Sequence, residues 1–168
     1  MEISDRLGKL ATFYNREAQR CLKGKAHLAA TIMQVSALEA ALQSMCFIYP
    51  NDIKRTSVYQ RKKFKRKRYR ALEFNLYQLI EIAEELSWFP AKTAIWGGKR
   101  SALAGFVHEA RKLRNFVHPG VWARERTPTK FSKKVYEVIE EIFDVATSWL
   151  VHRVERDLRK QMRKEGLL

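Results

Sequence analysis

Cysteine is scarce in this chain, with only Cys21 and Cys46 among 168 residues. Both fall on apolar helical seams, where a thiol packs as a small hydrophobe and does not form a disulfide or metal pair. No CxxC, no HExxH, no phosphate-cradling glycine loop and no paired-carboxylate cluster occurs. His27, His108 and His152 stand at no metal-ligand spacing, so each reads as a surface or hydrogen-bonded histidine. No metal and no cofactor is therefore expected. Alternating strand patterns, internal repeats and linkers are also missing, which leaves one domain over residues 1–168. The N-terminus is polar and unlike a secretory leader, so the expected location is a reducing cytoplasm. Gln34, Glu39 and Gln43 interrupt the longest apolar stretch, so a membrane span is not expected.

Acid is missing where base is densest. The chain carries 33 Lys and Arg against 18 Asp and Glu, a net charge of +15. Ten of those cations (Lys54, Arg55, Arg61, Lys62, Lys63, Lys65, Arg66, Lys67, Arg68 and Arg70) fall between 54 and 70, with no acid among them. Outside that arm, 23 basic residues face the 18 acidic ones, a net charge of only +5. Basicity this local points to a polyanion more than to general solubility. Tyr59, Phe64 and Tyr69 interleave with the cations as candidate stacking rings, although Tyr69 is also in register with Leu72, Leu76, Leu79, Ile80, Ala83 and Leu86 as core. A solvated face, a localisation signal or an anionic membrane patch has a similar composition. The self-repulsion of ten like charges weighs against the first of these.

Apolar spacing predicts an all-α antiparallel bundle of about five helices. Ile3, Leu7, Leu10, Tyr14, Ala18 and Cys21 mark the first, and the alanine-rich run from Lys25 to Tyr49 the second. Pro50-Asn51-Asp52 ends that run. A third helix is expected from about Arg61 to Ser87, followed by a loop through Trp88-Phe-Pro90 and Gly97-Gly98. Ser101 then caps a helix with an apolar stripe of Leu103, Phe106, Val107, Ala110, Leu113 and Val117, ending near His118 because Pro119 and Gly120 follow. Residues from Pro119 to Pro128 form another loop, with Trp122, Arg124 and Arg126 beside the preceding helix end. The final helix covers about 129–164 and outruns a small bundle as a basic tail.

The densest chemistry lies in Arg111-Lys-Leu-Arg-Asn-Phe-Val-His-Pro-Gly120. On a helix, Arg111, Arg114 and His118 share a face and Asn115 lies one step round. Two guanidiniums, an amide and an imidazole suit a phosphodiester, combining fixed positive charge with a proton carrier near neutral pH. The same residues serve equally well to bond exposed carbonyls at a helix end and to pair with an acid. Glu39, the only acid between Ala26 and Tyr49, is the expected partner of Arg111 or Arg114, because a carboxylate in so apolar a helix is not buried unpaired.

The string Leu113-Arg-Asn-Phe-Val-His-Pro-Gly120 resembles the motif helix of the HEPN superfamily of small all-α domains. Ser36-Ala-Leu-Glu-Ala-Ala-Leu42 looks like that family's long second helix, and Leu76-Tyr-Gln-Leu-Ile-Glu-Ile-Ala-Glu-Glu-Leu86 like the one before the motif. The family's ribonuclease motif leaves four to six residues between Arg and His. Here three separate Arg114 from His118, whereas six separate Arg111 from it, with Lys112 after Arg111 in place of a short polar residue. The resemblance implies metal-independent RNA cleavage at a site composed by a homodimer. His118 would move the proton, Arg111 and Arg114 would hold phosphoryl charge, Asn115 would orient, and Glu39 would support the site. A toxin or defence role, with an antitoxin or regulatory protein as partner, comes from the same resemblance. Two other readings stand beside it: a non-catalytic nucleic-acid-binding domain that keeps the arm, and a regulatory bundle binding a nucleotide or a protein at the patch.

Overall fold

The computed structural model describes residues 2–61, 71–95, 101–124 and 131–167. They are helical, without a strand beyond an isolated bridge between Thr93 and Ser101. In chain order the helices are α1 (Ile3–Lys23), α2 (His27–Ile48), α3 (Pro50–Arg55), α4 (Ser57–Arg61), α5 (Leu76–Glu85), α6 (Leu103–Asn115), α7 (Pro119–Arg124) and α8 (Lys133–Lys164), with a 3₁₀ turn at Ala71–Glu73.

Helix α2 is the centre of the bundle. Buried residues lie all round it, from Ala30 and Gln34 to Leu38, Leu42 and Cys46, because α1, α5, α6 and α8 all pack on it. Its alanines let those neighbours approach closely. By length and composition α2 also passes as a bilayer span, with half of its apolar window buried inside the bundle. A polar network around Gln34 is paired within this core, while the Trp88 indole N–H is buried without a hydrogen-bond partner among the described residues. Gln34 is fully buried and donates to Asn15 Oδ1 at 3.1 Å, and it accepts from the Tyr136 hydroxyl at 3.2 Å. Gln19 donates to that hydroxyl at 2.9 Å and also to Glu140, which joins α1, α2 and α8. Desolvation, and next the Glu140 carboxylate, push the Tyr136 hydroxyl well above the ordinary tyrosine range, so it stays protonated as a donor.

Several boundaries differ from the sequence reading. The expected third helix is divided, and α5 begins only at Leu76. Asn75 and Gln78 form a reciprocal capping box there, satisfying two otherwise orphaned N–H groups. Leu72, assigned to the core, is 55% exposed in the preceding 3₁₀ turn. Ser101 does not cap α6. Its N–H and C=O both bond Thr93 at 2.8 Å, and the Leu103 N–H takes the Pro90 carbonyl at 3.2 Å instead. These contacts close the α5–α6 connection, so the two helices run antiparallel. Pro119 opens the short helix α7 within the expected loop, since its fixed φ and missing N–H suit a first helical position. Helix α8 starts after Ser132, whose hydroxyl accepts the Val135 N–H at 3.3 Å. Its last buried residue is Leu150, and the basic end runs on to Lys164 in solvent.

Candidate nucleic-acid interface

Helix α6 carries Arg111, Arg114 and Asn115, with His118 beyond its end, and the structure divides the four. Arg114 turns toward α2, where its Nη1 meets Glu39 Oε2 at 2.7 Å, with the side chains 32% and 20% exposed. This is a contact the lone acid of α2 called for, and it uses Arg114 to join α2 to α6. Arg111 turns the other way. Its guanidinium carbon lies 5.3 Å from the Tyr77 ring centroid on α5, within cation–π range. Its Nε is buried with no hydrogen-bond partner.

Arg111 and Asn115 line one open cleft of about 480 Å³ at the end of α6, together with Glu109, Lys112, Phe116 and Val121. Lys112 is held by Glu109 at 2.6 Å, whereas Arg111 meets no carboxylate among the described residues. Phe116 meets Phe131 edge-on at 6.3 Å and ties the cleft wall to the approach of α8. Leu113 N–H and Arg114 N–H belong to the helix, which stops at Asn115. Phe116, Val117 and His118 then follow in tight turns, each N–H bonding a carbonyl three residues back. His118 is exposed beyond the helix, so the four-residue helical spacing that would align it with Arg114 is interrupted. The expected single patch is therefore a cleft pair (Arg111, Asn115), a structural arginine and an exposed histidine.

Two residues at this site escaped the sequence reading. The apolar pattern reads Tyr77 only as part of a helix, and spacing reads His108 as a surface or hydrogen-bonded histidine. Their rings stand 5.2 Å apart at 40°. His108 Nδ1 is buried without a partner. Burial, and next the Arg111 charge, hold the imidazole below its ordinary value, against a weaker upward pull from Glu84 and Glu81. The usable signal was spacing: His108, Arg111 and Asn115 are three and four residues apart and so share one face of α6.

The arm is described only at its root. Arg61 ends α4 and reaches Glu81 Oε1 on α5 at 3.3 Å. The Ser57 N–H and hydroxyl bond the Glu85 carboxylate at 2.9–3.0 Å, which fixes α4 on α5. Lys62, Lys63, Lys65, Arg66, Lys67, Arg68 and Arg70 lie outside the described residues, as do Phe64, Tyr69 and Arg126. Tyr59 packs inward, edge-on to Phe74 at 6.4 Å, and is no solvent-facing ring for a base. Among the described residues no three His, Cys, Asp or Glu side chains gather where they could hold a metal ion. No family model, curated protein or solved structure matches the chain.

Proposed function

We propose that this chain is a nucleic-acid-binding helical domain that takes the phosphodiester backbone at the C-terminal end of α6. The observation that carries the reading is Arg111 and Asn115 lining one open cleft on a chain whose excess charge is concentrated in a single arm. A guanidinium fork and a side-chain amide can donate together to phosphoryl oxygens. The HEPN resemblance, with α6 as the motif helix, supports RNA as the nucleic acid and a HEPN-like arrangement of the bundle.

Metal-independent RNA cleavage is the second reading, and exposed His118, three residues past Asn115, favours it. In that chemistry His118 would take the ribose 2′-hydroxyl proton while Arg111 held the phosphoryl charge. Arg114 is engaged by Glu39 and is not free to share that charge. A second acid–base group would have to come from a facing copy, as in the homodimer the resemblance implies. Binding ranks first because it needs only the residues that the cleft brings together.

One experiment tests both. Mixed single-stranded and structured RNA is incubated with excess EDTA and wild type or His118→Ala, and binding is titrated against salt in parallel. A steep salt slope without cutting supports the binding domain, with each neutralised phosphate adding about −0.7 to −0.9 to the log–log slope. Cutting by wild type alone, leaving 2′,3′-cyclic phosphate ends, promotes the nuclease. A chain that neither binds nor cuts RNA overturns both.

A further inference from the structure

Three features that the sequence leaves separate converge on one side of the α5–α6 hairpin. Tyr77 begins a face of α5 that continues through Glu81 and Glu84, four and seven residues on. Opposite it, α6 presents His108, Arg111 and Asn115. Tyr77 touches the first two, at 5.2 Å to the imidazole ring and 5.3 Å to the guanidinium, while 46% of the tyrosine stays exposed. Arg111 in turn lines the cleft. One helical turn from Tyr77, Glu81 holds Arg61, the residue from which the arm's remaining seven cations continue in sequence. A half-exposed ring is thus flanked by the Arg111 guanidinium, which meets no carboxylate among the described residues, on one side and by the root of the arm on the other.

Charge alone recognises any polyphosphate, duplex or single-stranded. A ring face adds affinity only for a base that is unpaired and unstacked from its neighbours. We propose that Tyr77, backed by His108 and Arg111, is a stacking platform for an unpaired base, and that this protein takes single-stranded nucleic acid over duplex. The inference rests on the nucleic-acid reading above and adds its substrate class. Trp149 offers a comparison within the molecule. It is exposed to the same degree, 47%, but the cations near it, Arg153 and Arg156, are already engaged by Asp157 at 2.7 and 3.8 Å. Exposure alone therefore does not single out Tyr77; the cation on its ring, which meets no carboxylate among the described residues, does.

The test uses the full chain, a single-stranded RNA carrying 2-aminopurine, and a blunt RNA duplex of equal length. Wild type should quench the 2-aminopurine and prefer the single strand. Tyr77→Ala should weaken single-strand binding by about 5- to 100-fold, abolish the quench, and leave duplex affinity and the salt slope within about twofold. Tyr77→Trp should restore both binding and quench, and Trp149→Ala should change neither. Far-UV circular dichroism of each variant verifies the fold. If wild type binds both RNAs with a steep salt slope but Tyr77→Ala alters neither, or weakens both equally, the platform is overturned while the binding reading survives. If wild type binds neither RNA, both are overturned.

Discussion

Two polar clusters in this molecule contrast sharply. In the core, Gln34, Asn15, Tyr136, Gln19 and Glu140 close a network in which these groups bond one another across three helices. On the α5–α6 hairpin, Arg111 and His108 each keep a buried nitrogen with no hydrogen-bond partner, and the ring between them stands half open. A satisfied network stabilises and fixes a fold, while an unsatisfied one stores an unmet demand for a donor or acceptor. The contrast teaches where to look for binding. It also separates residues whose loss should unfold the protein from residues whose loss should silence it.

The largest effect is expected in the core. Gln34→Ala removes two hydrogen bonds from a fully buried position and leaves a cavity, at a cost of about 2–4 kcal/mol. Thermal unfolding should shift by roughly 2–4 °C for each kcal/mol, with RNA affinity unchanged at temperatures where the variant is folded. A shift too small to measure would show that the network is incidental. Next comes Arg114→Met, which strands the Glu39 carboxylate in α2. Because both groups are partly exposed, about 1–2 kcal/mol is expected, less than for a fully buried pair. Adding Glu39→Gln should recover most of that loss in urea titrations, and a strictly additive double variant would deny the coupling.

How far the sequence revealed this contrast depended on whether the deciding contact was local. Helix α2 was legible because a long apolar run without breaks has few alternatives, and Glu39 was legible because a lone acid there demands a cation. The Ser132 cap is local, and the predicted start of α8 fell within four residues of it. The Asn75–Gln78 capping box was equally local, but the apolar register from Tyr69 to Leu86 ran across it. Ser101 misled for the opposite reason. Its backbone is committed to Thr93 across a loop, which no window around Ser101 displays. Tyr77 against Arg111 belongs to the same class, since which face of α5 meets α6 is decided by packing on α2. The composition of the candidate site was readable; its division between Glu39 and Tyr77 was not.

The hairpin cluster should respond in the reverse sense to the core. Arg111→Met deletes a guanidinium whose buried Nε has no partner, so stability should move by less than about 0.5 kcal/mol. RNA binding should weaken, and the salt slope should fall by about 0.7–0.9 if the guanidinium meets one phosphate. A variant that unfolds like Arg114→Met while binding normally would erase the distinction between the two arginines.

The smallest effect is a titration, and it reports on the cluster without any ligand. His108 is held below its ordinary value chiefly by burial and next by Arg111, so it is neutral in the folded protein at physiological pH. Its unfolded counterpart takes a proton as pH falls through about 6.5. Between that point and the lower folded value, the unfolded state binds more protons, so His108 subtracts stability as pH falls and subtracts nothing further below it. His108→Gln should remove this part of the acid sensitivity. Arg111→Met removes one downward influence and leaves the larger, burial, in place. The ring titration followed by NMR should therefore move up toward the ordinary histidine value without reaching it. A His108 curve unchanged by Arg111→Met would mean that the two side chains do not sense each other, and the cluster beside Tyr77 would lose its common charge.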